Sequence, residues 1–338
     1  MKQIYSLKDL DLTIVTSTPN INFISYPGAK CCLKDLTNLI CRSDLYPEFF
    51  YQLSQVCRNI QSINITFGGE ISFGMTDLIS GQQNLKYLQI NERYDCEDLT
   101  DIIPLLLKLP NTLIKLELRD GYHIPLSFIS KLTNLKELVI SIEYDASEDF
   151  IHPFNDFNEL QYVTFSQLQI LKFPFSCPRY EYLIKFLEIN GKYLKEFHVS
   201  DHCDNSLNLS ISKFCPNLKS LCTQFMNNEM ETAKLIFNNC KQLEDIEIWC
   251  SDSLLSEKIL LNTVAEFSPK NLCELKYVRN VIPELSPDDL ESFFISWANR
   301  IPKKSLSLII VNYYEHYDKE EVMKLIEKYI KLGVIEKF

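Results

Sequence analysis

Asn84-Leu85-Lys86-Tyr87-Leu88-Gln89-Ile90 and Asn134-Leu135-Lys136-Glu137-Leu138-Val139-Ile140 share one pattern. An asparagine is followed by apolar residues at the first, fourth and sixth places of an L-x-x-L-x-L triad. The triad returns with first members at Leu7, Leu33, Ile60, Leu85, Leu113, Leu135, Leu168, Leu194, Leu218, Leu243, Leu272 and, degenerately, Lys303, spaced 22 to 33 residues apart. Apolar residues make up 46% of the chain, so three such places coincide by chance at roughly one site in ten. Phase is what separates signal from chance. Asn59, Asn84, Asn134, Asn217 and Asn271 each precede a triad, and Cys57, Cys215 and Cys240 each lie three residues ahead of one. The exceptions are Asn38 and Thr223 in the last place and Lys303 in the first.

Between the triads lie stretches whose apolar residues recur every three or four positions, the mark of a helix with one buried face. They include Glu48–Val56, Leu99–Leu107, Tyr180–Glu188, Met230–Asn238 and Pro287–Trp297. Pro287-Asp288-Asp289 reads as a helix start, with proline early and acids facing the amino-terminal dipole. A strand plus a helical return at this period is the leucine-rich repeat. The expected fold is an α/β leucine-rich-repeat solenoid (horseshoe) of about twelve irregular, cysteine-containing repeats, with parallel strands on the concave face and helices on the convex face. No Pro/Gly/Ser-rich linker divides the 338 residues, so residues 1–338 are read as one leucine-rich-repeat domain. Ile142–Asn158, acidic and aromatic, reads as an enlarged loop on the rim.

The formal charge of −11 argues against general attraction to nucleic acid or to anionic membranes. The longest apolar runs, such as Ile103–Leu107, are too short to span a bilayer. Met1–Val15 lacks the uninterrupted apolar stretch of a signal peptide. Twelve cysteines without such a signal point to a reducing compartment, cytoplasmic with the nucleus compatible, where thiols serve as small buried hydrophobes. Asn64-Ile65-Thr66 and Asn208-Leu209-Ser210 match a glycan-acceptor pattern that has no meaning in such a compartment. Lys8, Lys34, Lys86, Lys136, Lys195 and Lys219 occupy the second triad place, and acids such as Asp9, Glu137, Glu196 and Asp245 the third. Alternating charge of this kind keeps an exposed strand face soluble.

No G-x-S-x-G elbow, G-x-x-x-x-G-K-[ST] loop, H-E-x-x-H or C-x-x-C pair occurs, so no catalytic residue, cofactor or metal site is expected. Gly68-Gly69 after Ile63–Thr66 reads as a turn rather than a phosphate cradle. His198, His202 and Cys203 are the one cluster with ligand-like residues. Adjacent His202 and Cys203 cannot easily both face one zinc ion, and a fourth donor is missing. The chain reads as a non-enzyme.

Cys57-Arg58-Asn59-Ile60, Cys215-Pro216-Asn217-Leu218 and Cys240-Lys241-Gln242-Leu243 resemble the cysteine-containing repeat typical of F-box proteins. Longer phrases, Gly81-Gln82-Gln83-Asn84-Leu85 and Glu291-Ser292-Phe293-Phe294 among them, resemble an expanded fungal family of F-box/leucine-rich-repeat-like proteins. The resemblance spans essentially the whole chain. It implies a substrate-recognition subunit of an SCF-type (Skp1-cullin-F-box) ubiquitin ligase, in which the repeats hold a protein target. Only six residues precede Leu7 and no F-box is visible, so Skp1 is an expected partner only if an F-box lies upstream of Met1; both ends read as truncated or uncapped. A leucine-rich-repeat receptor for a small ligand and an inhibitor-type repeat protein with no ubiquitin role are the competing readings. In a parallel repeat sheet the fifth and seventh places face outward, which nominates Glu117, Arg119, Lys172, His198, Ser200, Glu247 and Trp249 for partner binding. Trp249 either anchors a partner or folds under a neighbouring loop.

Overall fold

The computed structural model describes residues 6–14, 26–68, 73–93, 103–120, 124–143, 154, 156–200, 204–250, 254–279, 285–312 and 320–338. The chain forms two compact units, Met1–Leu168 and Gln169–Phe338. Unit 1 holds strands β1 (Asp9–Asp11), β2 (Asn38–Arg42), β3 (Ser62–Phe67), β4 (Tyr87–Glu92), β5 (Lys115–Arg119) and β6 (Glu137–Ser141). Unit 2 holds β7 (Ile170–Phe173), β8 (Glu196–Val199), β9 (Ser220–Gln224), β10 (Asp245–Cys250), β11 (Glu274–Arg279), β12 (Leu306–Asn312) and β13 (Ile335–Lys337). Within each unit every strand pairs in parallel with the next in sequence. That order, with a return segment between neighbours, is the α/β leucine-rich-repeat solenoid.

Parallel neighbours need a crossover, and helices supply most of them. They are α1 (Ala29–Leu33), α2 (Pro47–Val56), α3 (Phe73–Ser80) and α4 (Ile103–Leu106) in unit 1, then α5 (Tyr180–Asn190), α6 (Asn205–Phe214), α7 (Met230–Asn239), α8 (Glu257–Phe267), α9 (Pro287–Ala298) and α10 (Glu320–Lys331) in unit 2. The expected helices coincide with α2, α5, α7 and α9 to within two residues. Of Leu99–Leu107, residues 99–102 lie outside the described residues. The shortest repeat, from Leu113 to Leu135, has among its described residues the 3-10 turn Leu126–Lys131 as its return segment. Most of the loop expected over Ile142–Asn158 lies outside the described residues. Helix α9 opens as its sequence suggests. Ser286 Oγ accepts from the Asp289 backbone N–H at 3.1 Å, the Asp289 carboxylate accepts from the Ser286 backbone N–H at 3.4 Å, and proline follows the cap. This reciprocal box satisfies donors that a helix start leaves open. No helix among the described residues is long and apolar enough to cross a membrane.

From Leu85 to Tyr277 every triad side chain is at most 1% exposed. Thr223, the polar exception, is buried because its hydroxyl donates to Asn208 Oδ1 at 2.8 Å. Asn208 in turn donates to the Gln224 carbonyl at 2.8 Å and to Glu229 Oε2 at 3.3 Å. A wholly buried asparagine engaged in this way is not a glycan acceptor. Two expected triads sit elsewhere than their spacing suggests. Asn38 pairs with Ser62 and Leu39 with Ile63, so the β2 triad is Leu36, Leu39 and Cys41 rather than Leu33, Leu36 and Asn38. Asn38 therefore faces outward, and Lys34 leaves the lysine series. Leu275 pairs with Leu308, which moves the β12 triad two residues on, to Ser305, Leu308 and Ile310.

The phased residues ahead of each triad join one repeat to the one before. Asn84 Nδ2 donates to Asn59 Oδ1 at 2.7 Å, Asn134 Nδ2 to the Asn111 carbonyl at 2.9 Å and Asn217 Nδ2 to the Lys192 carbonyl at 2.8 Å. Cys57, Cys215 and Cys240 are fully buried. Cys57 Sγ donates to the Leu33 carbonyl at 3.2 Å and Cys240 Sγ to the Cys215 carbonyl at 3.3 Å. Gly191 packs so tightly on the Cys215 repeat that an added Cβ would stand 2.8 Å from Cys215 Sγ and from the Phe214 carbonyl oxygen.

Leu116 is completely buried in β5, so Leu116→Ala leaves a cavity and is expected to destabilise the protein by about 2–5 kcal/mol, measured by chemical unfolding. Burial pushes the Cys57 and Cys240 thiols up to about 12. Since the thiolate is the reactive form, native-state labelling at these two is expected to be roughly a thousandfold slower than at an ordinary exposed thiol. Exposed Cys31 serves as the internal reference, and equal rates would refute the burial. Cys203 lies outside the described residues.

Candidate partner-binding face

Alternation along each strand turns the fourth and sixth triad places inward and sends the third, fifth and seventh to the opposite face. In-register pairing then collects residues from separate repeats into rows, with neighbours about 4.8 Å apart. In unit 2 the middle row reads Lys172, His198, Cys222, Glu247, Lys276, Ile309. The row on one side contains Glu196, Ser220, Asp245, Glu274 and Ser307. The row on the other contains Gln224, Trp249, Val278 and Val311. Of the expected binding residues, Lys172, His198, Ser200, Glu247 and Trp249 fall on this unit 2 face.

The middle rows are knitted by charge. Lys172 Nζ pairs with Glu196 at 2.5 Å and Lys276 Nζ with Glu247 Oε2 at 2.9 Å. Half-exposed pairs of this kind contribute about 0–1 kcal/mol each, so they orient side chains more than they stabilise the fold. Ser220 donates to Asp245 at 2.5 Å. Burial nevertheless raises the Asp245 carboxyl above its ordinary value, helped by Glu274, Glu196 and Glu244 and opposed by the serine. His198 Nε2 lies 2.6 Å from Ser200 Oγ. Burial holds its imidazole below the ordinary value, with Lys172 and Lys276 acting in the same direction and Glu247 and Glu196 against it. Trp249 is half-buried with its indole Nε1 covered, and stands in register between Gln224 and Val278, which are 5% and 2% exposed.

Unit 1 carries the other two expected residues. Arg119 Nε donates to Glu117 Oε1 at 2.6 Å along β5, with the arginine exposed. Beside them an open depression of about 520 Å3 is lined by Asp9, Asn38, Asn64, Tyr87, Gln89 and Lys115, among others. An amide chain crosses its rim: Gln89 donates to Asn91 at 2.8 Å and Asn91 to Asn64 at 2.7 Å. Lys115 is held by Glu137 at 2.7 Å. Single-residue pattern nominated Glu117 here but missed the amides Asn38, Asn64 and Gln89, which carry no charge and no motif. It also left Cys222 and Lys276 out of the expected binding residues, although both occupy the same fifth place as His198 and Glu247. His202 and Cys203, weighed with His198 as metal ligands, lie outside the described residues.

The phased ladder and its polar outward face define a leucine-rich-repeat protein. No family model matches the chain, and no curated protein matches it in sequence. Solved structures similar to it include a chain of the yeast Rad7 and Elc1 complex, at 12% identity and a TM-score of 0.53, covering 87% of this chain and 73% of that one. The leucine-rich repeat-containing protein LegL7 from Legionella pneumophila is similar at 14% identity and a TM-score of 0.49, covering 87% of this chain and 99% of that one. At 12% identity the likeness to the Rad7 and Elc1 complex chain shows the fold alone.

Because the folded His198 imidazole sits below its ordinary 6.5, the unfolded chain binds this proton more readily. Stability that is present above pH 6.5 is therefore lost as pH falls through 6.5 towards the lowered folded value. The His198 ring resonance is expected to titrate below 6.5, and His198→Gln to flatten the corresponding fall in thermal midpoint. A midpoint at or above 6.5 would contradict the burial.

Proposed function

We propose that the chain is a non-enzymatic protein-interaction module that holds a protein target on its strand face, as the substrate-recognition repeat region of an SCF-type ubiquitin ligase component. The observation that carries the interaction role is the unit 2 face. Five adjacent strands present charged and polar side chains in register, next to a tryptophan flanked by buried Gln224 and Val278. Interfaces draw their strongest anchors from Trp, Tyr and Arg set among water-excluding neighbours, and Trp249 has that setting. The ligase assignment rests on the resemblance of the cysteine-bearing repeats to F-box proteins. Skp1 enters this proposal only through an F-box encoded upstream of Met1, so the in-frame coding sequence there separates the ligase reading from that of an inhibitor-type repeat protein.

A second reading, a receptor for a small polar ligand, draws on the unit 1 depression, whose volume falls in the range of ligand sites. Its charges, Asp9 and Glu117 against Lys115, do not favour an anion.

The interaction reading is tested with the protein captured by the immobilised chain. Trp249→Ala is expected to weaken that complex by at least about 2 kcal/mol, by calorimetry, while the thermal midpoint of the free chain moves little. Lys234→Ala, on the helix side, is expected to leave affinity unchanged. Intact affinity together with a large loss of stability would make Trp249 a packing residue.

A further inference from the structure

Three side chains that no sequence motif links stand together on the unit 2 face: His198 of β8, Cys222 of β9 and Glu247 of β10. Register alone brings them there, since His198 pairs with Cys222 and Cys222 with Glu247. One donor atom from each lies within 4.8 Å of the other two. Cys222 is 4% exposed, and its two neighbours are half-buried. We propose that His198, Cys222 and Glu247 bind one divalent transition-metal ion, zinc being the best match.

The donor set carries the choice of metal. Imidazole nitrogen, thiolate sulfur and carboxylate oxygen are the zinc ligands, whereas calcium and magnesium take oxygen alone. Zinc bonds of about 2.0–2.3 Å place tetrahedral ligands roughly 3.3–3.8 Å apart, so closing the trio needs only side-chain rotation on a fixed sheet. Supporting contacts are already in place. Ser200 Oγ engages one ring nitrogen of His198 at 2.6 Å and leaves the other for the ion. Lys276 engages Glu247 through Oε2 at 2.9 Å, so Oε1 is the oxygen offered. Partners that orient ligands in this way tune metal affinity. Binding breaks the Cys222 S–H bond and releases that proton to solvent. The ion then meets two negative ligands and a neutral one, so its own two charges are offset by its ligands. Three protein donors leave a fourth position for water. The inference is independent of any partner.

The test uses the reduced full-length chain stripped with chelator and titrated with Co2+ while its absorption spectrum is recorded. A sulfur-to-cobalt charge-transfer band with tetrahedral ligand-field bands, saturating at one ion per chain and displaced by Zn2+, is the expected result. Cys222→Ser should abolish the charge-transfer band, and His198→Gln and Glu247→Gln should each weaken Co2+ binding about tenfold or more. The double variant of Cys31 and Cys32 to serine should leave the titration unchanged. Should Cys222→Ser fail to fold by circular dichroism, the half-buried His198→Gln and Glu247→Gln decide the question. Absence of the band in the wild-type chain, its persistence in Cys222→Ser, or its loss in the Cys31 and Cys32 double variant overturns the proposal.

Discussion

Every feature of the two units depends on the parallel backbone ladder. The carbonyl before each strand commonly accepts two N–H groups from the next repeat. Gln61, for instance, receives Lys86 and Tyr87 at 2.9 and 3.0 Å, and Lys219 receives Glu244 and Asp245 at 2.7 and 3.0 Å. Those bonds fix the register, and a slip of one residue would turn every inward side chain outward. The energetic asymmetry is large. A leucine of the triad stabilises by about 1.5–3 kcal/mol on burial, while an ion pair on the strand face contributes about 0–1. The core sets the register, and the register then decides which polar groups from distant parts of the chain become neighbours.

That ordering explains what the residues alone disclose. Repeat architecture is legible because burial is enforced at the same places in each unit, and because Asn84, Asn134 and Asn217 repeat a bond to the preceding coil. The reading slipped at β2, where Leu33, Leu36 and Leu39 offer two overlapping L-x-x-L spacings. Choosing the earlier one shifts the strand by three residues and reverses the face of Asn38, whereas Cys41 completes an apolar triad in the later one. At β12 the error of two residues leaves each side chain on its correct face.

The binding surface is less legible for a physical reason. His198, Glu247 and Trp249 are visible as outward places one strand at a time. Their lateral neighbours depend on repeats of unequal length coming into step. Cys222 looks like another small buried hydrophobe, yet the ladder sets it between an imidazole and a carboxylate. The amides around the unit 1 depression carry no charge and no periodic mark, so nothing distinguishes them before the strands are aligned.

The buried bonds of Asn208 have a mechanical consequence. In a stack where each coil touches only its neighbours, a pull on the end of the chain peels coils singly. Asn208 sits in α6 but grips the Gln224 carbonyl and Glu229, both in the following repeat, and accepts from Thr223 of β9. Peeling unit 2 from its last strand inward meets part-exposed polar links first, among them Lys328 to Glu291 and Arg300 to Ser268 and Pro269, and then this fully buried one. Under load the joint between these two coils keeps a polar link that water does not reach, directly beside the row that carries His198 and Cys222.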